Sequence, residues 1–212
     1  GVDGIIDLGS IVTTWTGSSE DANLGGYVTS KSIASLGDID GDDRDDFIVG
    51  EPLYENPSTM TWDGRAYLVF SSSITSSNAS IETADILFEG SGYAQLGQSM
   101  ASIGDLDGMG VNDFLVGSSN ADGGKGAVYL FYGEGMGSSA TIYADLDYDV
   151  KFTAEAPGDS LGLRVASAGD MNGDYIPDMI VAAPYNDVGS ATKGGRAYLF
   201  FGDSISGPVH AA

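Results

Sequence analysis

Apolar residues in this chain come in short runs rather than in helical stripes. FIVG (47–50), FLVG (114–117) and MIVA (179–182) are brief, rich in β-branched and aromatic residues, and run into Gly or Pro. That pattern predicts buried strands at 46–50, 113–117 and 178–182. RAYLVF (65–70), AVYLFY (127–132) and RAYLFF (196–201) carry aromatics on alternate sides and read as a further strand each. IASLGD (33–38), MASIGD (100–105) and VASAGD (165–170) set small Ala and Ser beside apolar residues, which suits a crowded inner strand. No segment sustains a 3.6-residue apolar period between a cap and a Gly stop, so the expected class is all-β.

These segments repeat. Three blocks align, IASLGDIDGDDRDDFIVGEP (33–52), MASIGDLDGMGVNDFLVGSS (100–119) and VASAGDMNGDYIPDMIVAAP (165–184), and their opening aspartates lie 67 and 65 residues apart. TWTGSSEDANLG (14–25), LFEGSGYAQLG (87–97) and FTAEAPGDSLG (152–162) precede them in register. Four strands per unit, repeated, is the pattern of a β-propeller blade. The inner strands are expected at about 30–36, 98–103 and 163–168, and the outer strands at about 84–88 and 149–153. The reading is one propeller segment over 1–212, with blades at about 27–88, 96–153 and 161–202. Residues 10–16 look like an outer strand with no blade of its own, and the third blade has no outer strand. Three blades are too few to close, so a head-to-tail homodimer forming a six-bladed ring by strand exchange is expected. The alternative is a piece cut from a longer propeller.

Composition narrows the function. Thirty-one acidic residues against 8 basic ones give a net charge of −23, which excludes nucleic-acid binding by phosphate neutralisation. With no cysteine there is no disulfide framework, thiolate site or Cys nucleophile. The lone His210 argues against a zinc site or a His-based triad. No apolar run is long enough to insert in a membrane. GVDGIIDLGS at the start lacks the features of a signal peptide, as expected after its removal or in an excised fragment.

Many of the acids concentrate in the loops DIDGDDRDD, DLDGMGVND and DMNGDYIPD. Oxygen-bearing side chains fall at positions one, three, five and nine: Asp38, Asp40, Asp42 and Asp46 in loop one; Asp170, Asn172, Asp174 and Asp178 in loop three. Loop two has Asp105, Asp107 and Asp113 but Met109 at position five. Six to eight oxygens suit Ca²⁺; Mg²⁺ favours fewer protein ligands, and softer metals want Cys or His. Position seven (Arg44, Val111, Ile176) varies in side chain, as expected if it offers its backbone carbonyl. Two to three calcium ions are expected, with the middle site weaker, completed by water or empty. Asp145, Asp147 and Asp149 alternate in DLDYDV and are expected on one face of a solvated edge strand.

The unit LG-x₃-A-S-x-GD-x-(D/N)-G-…-D-x-x-V-(G/A)-x-P-…-G-x-x-Y-L-F resembles the FG-GAP repeat, over nearly all of residues 10–202. Such repeats form the seven-bladed propeller of integrin α chains and occur in many surface proteins. The resemblance implies a calcium ion in the loop joining strands one and two of a blade, carried over in full to loops one and three. FG is replaced by Leu96-Gly97 and Leu161-Gly162, and Leu24-Gly25 stands farther from its loop than the other two copies. The expected function is an extracellular or cell-surface calcium-binding module for adhesion or for protein or glycan recognition, without enzymatic activity. A structural spacer and a propeller-based lyase or hydrolase are the alternatives. The ligand face is expected at the end opposite the calcium loops, where Tyr54, Trp62, Tyr93 and Tyr185 fall.

Overall fold

The computed structural model describes residues 14–26, 30–74, 78–137, 140–188 and 192–205. His210 and the first part of the expected strand at 10–16 lie outside them. In chain order the strands begin with β1 (Thr14–Thr16), β2 (Ile33–Gly37), β3 (Asp46–Glu51), β4 (Glu55–Asn56) and β5 (Thr61–Trp62). There follow β6 (Arg65–Val69), β7 (Asn78–Ser80), β8 (Ile86–Glu89), β9 (Leu96–Gly104), β10 (Asp113–Ser118) and β11 (Ala127–Phe131). The last are β12 (Ala140–Tyr143), β13 (Val150–Thr153), β14 (Arg164–Gly169), β15 (Asp178–Ala183) and β16 (Arg196–Phe200). Only single helical turns interrupt them among the described residues. The chain is all-β.

Three sheets carry the repeat. Sheet one has the order β12-β8-β6-β3-β2, sheet two β13-β11-β10-β9 and sheet three β14-β15-β16. Successive repeat strands pair antiparallel, as a chain folding back on itself through short loops requires. Sheet two is covered on both faces, which is why β10 reads as an unbroken apolar run. Phe114 and Val116 pack toward sheet one; Leu115 packs toward sheet three; all three are fully buried. Between sheets one and two, Phe88 meets Phe114 edge-on at 5.8 Å and Phe131 at 5.0 Å. Each such ring contributes about 1.5–3 kcal/mol by its burial alone.

Neighbouring sheets approach closely at glycines, Gly50 and Gly117 among them. A Cβ on Gly50 would run into the carbonyl oxygen of Gly97, and one on Gly117 into that of Gly162. Each inner strand ends in a register shift, between Ser35 and Gly37, opposite Asp113/Phe114 in β10, and between Ser167 and Gly169. The glycine there has φ of +80°, +90° or +68° (Gly37, Gly104, Gly169), which turns the strand directly into the acidic loop.

Three features differ from the sequence reading or add to it. First, β12 joins sheet one as a fifth strand, parallel to β8, with Ile142 opposite Phe88. Second, β1 is not left without a partner within the chain. It pairs in parallel with β7, with Trp15 opposite Ala79. DLDYDV also corrects an expectation, because it is mostly turn rather than strand and its carboxylates serve as hydrogen-bond acceptors. Asp149 accepts the Tyr132 N–H at 2.8 Å, Asp147 that of Tyr143 at 2.9 Å, and Asp145 the Ser91 hydroxyl at 2.7 Å.

Candidate functional site

The three acidic loops each join the first and second strand of a sheet. In loop one, Asp38, Asp40 and Asp42 bring donor oxygens within 4.8 Å of one another. Asp38 accepts the backbone N–H groups of Gly41 (2.7 Å), Asp42 (3.0 Å) and Asp43 (2.8 Å). Desolvation opposes ionisation of Asp38, but the amides of Asp43, Gly41 and Asp42 together hold its carboxyl below the usual range. Ser72 donates to Asp40 at 2.7 Å, and the Arg44 guanidinium turns back to pair with Asp42.

Loop three is built the same way. Asp170 accepts from Gly173 (2.6 Å), Asp174 (3.1 Å) and Tyr175 (2.9 Å), and the Tyr175 amide is the main cause of its lowered pKa. Asn172 donates its side-chain amide to Asp174 at 2.8 Å, and Asp174 accepts the Ile176 N–H at 2.8 Å.

Loop two reaches a cluster by another route. Among the described residues Asp105 accepts only the Gly110 amide, and its Oδ1 is buried without a hydrogen-bond partner. Asp113 supplies the carboxylate that Met109 lacks: Asp105, Asp107 and Asp113 have donor oxygens within 4.8 Å of one another. Burial, with the Asp107 charge as a smaller contribution, pushes the Asp113 carboxyl up to about 6. Met109 itself is 64% exposed. Val111 packs against the core between sheets one and two, whereas Arg44 stays at the surface.

The ninth residue has a role beyond the one read from spacing. Asp46, Asp113 and Asp178 are at most 1% exposed. Each accepts the N–H of loop position two through one oxygen, from Ile39, Leu106 and Met171 at 2.7–2.8 Å. The other oxygen accepts the N–H of Ser71, Gly133 or Gly202, just past the third strand, at 2.8–3.0 Å. These aspartates therefore staple the loop to its sheet. A second feature escaped the sequence: loop position six is left-handed in every copy, with φ of +67° at Asp43, +92° at Gly110 and +70° at Tyr175.

The donor set is oxygen throughout, as a hard cation requires. The unpartnered buried Oδ1 of Asp105 and the crowded carboxylates fit such an ion. Asp38, Asp40 and Asp42, then Asp105, Asp107 and Asp113, then Asp170, Asn172 and Asp174, are the groups that would hold it.

At the opposite end the four aromatics divide. Tyr54 is buried under the Arg65 guanidinium, which lies 3.6 Å from its ring centroid; it belongs to the fold rather than to an open ligand face. Trp62, Tyr93 and Tyr185 are about half exposed. Tyr93 is anchored by its N–H to the buried Asp63 at 3.1 Å, and Lys193 stands 5.3 Å over the Tyr185 ring. No ring contact joins these three among the described residues.

Comparison with known sequences bears on this geometry. The family model for the FG-GAP repeat matches residues 162–200, which run from the approach to β14 through β15 to the end of β16. The chain belongs to the FG-GAP repeat family. It is 28% identical to integrin alpha-PS2 of Drosophila melanogaster over 155 residues, 71% of this chain and 11% of that protein. It is 29% identical to human phosphatidylinositol-glycan-specific phospholipase D over 200 residues, 86% of this chain and 22% of that protein. Mouse integrin alpha-IIb is 30% identical over 151 residues, 69% of this chain and 14% of that protein. The FG-GAP chain thus spans about a tenth to a fifth of the curated relatives it matches, and membership implies a propeller architecture for its sheets. Among the described residues no helix is long and apolar enough to cross a membrane.

Proposed function

We propose that this FG-GAP chain is a calcium-binding, extracellular β-propeller module of three blades that serves adhesion or recognition of a protein or glycan. The observation that carries the reading is the repeated loop. At one end of the stacked sheets, acidic loops present clustered hard oxygens, and the buried Asp105 Oδ1 lacks any partner. Calcium would neutralise these clusters and tie each loop to its strands. Binding rather than catalysis is supported by the scarcity of uncommitted cationic groups. Arg44, Arg65, Lys151 and Arg196 each pair with a carboxylate, which leaves few positive charges to stabilise a developing oxyanion. The exposed Trp62, Tyr93 and Tyr185 at the far end are the ligand-facing candidates.

Calorimetric titration of the chelator-treated protein with calcium, repeated with magnesium, tests the metal. Two to three calcium sites with weaker magnesium binding are expected; absence of calcium binding at millimolar ion sinks the reading. A glycan array, run beside a mutant bearing Ala at Trp62, Tyr93 and Tyr185, tests recognition.

A further inference from the structure

Loop two belongs to the middle sheet and is held from both sides. Asn112 donates its side-chain amide to the Leu36 carbonyl oxygen of sheet one at 2.8 Å. On the other side, a Cβ on Gly104 would touch Pro177, just before sheet three's second strand. The Gly133 N–H, given to Asp113 at 2.9 Å, ties the loop to its own sheet.

Around position five the backbone of this loop repeats that of the other two. The position-five N–H is donated to the position-three side-chain oxygen in each: Asp42 to Asp40 at 3.2 Å, Met109 to Asp107 at 3.0 Å and Asp174 to Asn172 at 3.1 Å. The position-six N–H goes to Oδ2 of position one at 2.8–2.9 Å in all three. Position four is left-handed throughout, with φ of +82°, +79° and +82° at Gly41, Gly108 and Gly173. The Met109 side chain therefore leaves the backbone where Asp42 and Asp174 carry their carboxylates. Only the donor atom differs. A thioether sulfur is a soft ligand, and calcium takes hard oxygen.

The same loop has an oxygen to spare. Oδ1 of Asp38 and Oδ1 of Asp170 each accept two backbone N–H groups, whereas the buried Oδ1 of Asp105 accepts none among the described residues. Met109 is also open to reagents in solution. It is 64% exposed, whereas Met100 and Met179 are fully buried. A side chain so exposed can become polar without opening a gap in the core.

We infer, on the calcium reading of these loops, that Met109 is an oxidation-dependent ligand: its sulfoxide, and not its thioether, completes the site of loop two. The oxidant is a peroxide. The sulfur lone pair attacks one oxygen of hydrogen peroxide, and the S–O bond forms as the O–O bond breaks. The departing oxygen takes up the proton that the transferred oxygen gives up and leaves as water, so the sulfur is oxidised and the peroxide reduced by one electron pair. The sulfoxide oxygen is a hard, neutral donor. It stands one bond farther from Cα than an aspartate oxygen, which is the reach of a glutamate, and the unbranched stem is flexible enough to turn it inward. Methionine sulfoxide reductases restore the thioether, which makes the change reversible.

Asp42→Ala combined with Asp174→Ala leaves loop two as the calorimetric reporter. After mild treatment with hydrogen peroxide, peptide mass spectrometry should place a gain of about 16 Da on Met109. Calcium affinity at this loop should then rise several-fold, and fall back after reduction by methionine sulfoxide reductase. Met109→Gln, which sets a neutral oxygen at similar reach, should show the gain without peroxide. Met109→Leu should remove the response, although Met60 and Met171, 66% and 62% exposed, still oxidise. A sulfoxide at Met109 with affinity unchanged or lowered overturns the inference, as does a gain that persists in Met109→Leu or a peroxide treatment that spares Met109. The unaltered protein, titrated in parallel, separates the two readings. Calcium held by loops one and three with no peroxide effect at loop two defeats this inference alone; no calcium at any loop defeats both.

Discussion

Asp178 accepts the Gly202 backbone N–H at 3.0 Å through one carboxylate oxygen, and the Met171 N–H at 2.7 Å through the other. One buried side chain thereby joins an acidic loop, the second strand and the end of the third. Asp178→Asn would turn one acceptor into a donor aimed at an N–H. Leaving a buried amide unsatisfied costs about 1–3 kcal/mol. Denaturant melts in excess chelator should show that loss, because the staple does not depend on a metal. An unchanged midpoint without calcium would reduce Asp178 to a ligand only.

Asp42→Ala should behave in the opposite way. Asp42 is partly exposed; it pairs with the exposed Arg44 guanidinium and accepts the Arg44 N–H at 2.9 Å in a solvent-facing turn. An exposed pair of this kind contributes roughly 0–1 kcal/mol. Stability in chelator should therefore barely change, while the calcium-dependent increment from loop one disappears. That increment is about 1.4 kcal/mol per site at ten times Kd. Melting temperatures with and without calcium, for the two variants side by side, separate staple from ligand; equal losses in both conditions would defeat the distinction.

The strands and the acidic loops were legible because each repeats three times with a distinctive composition. β3, β10 and β15 fall where β-branched and aromatic runs meet Gly or Pro. Other features left little trace. β7 and β12 are short segments, NAS and ATIY, and their parallel pairing depends on a neighbouring strand that no local pattern names. The spacing that marked Asp46, Asp113 and Asp178 as ligands could not show that backbone amides occupy both oxygens. Tyr54 looked like a loop aromatic, and only the stacked Arg65 makes it a buried one.

Met109→Asp tests the middle loop. Asp113 now serves there both as staple and as third carboxylate. Met109 is largely exposed, so the fold should tolerate the change, and its N–H already sits 3.0 Å from Asp107. A carboxylate at position five relieves Asp113 of its second role, and calcium affinity at this loop should rise several-fold by calorimetry. A weaker or unchanged site would mean that Asp113 already completes the shell.

Tyr175 is 95% exposed and adopts φ of +70°, at a position where loop two has Gly110. A non-glycine residue in the left-handed region costs roughly 1–2 kcal/mol, because Cβ crowds the following carbonyl oxygen. Glycine removes that strain but adds about 0.5–1 kcal/mol of unfolded-state entropy. The ring adds little to the balance, since almost none of it is buried. Tyr175→Gly should therefore leave the metal-free protein equally stable or more stable by up to about 1.5 kcal/mol. The Tyr175 N–H that Asp170 accepts is backbone and survives the change, so calcium binding at loop three should be retained. Chemical denaturation in chelator reads the stability. A clear loss would show that the tyrosine ring makes a stabilising contact that its exposure does not suggest.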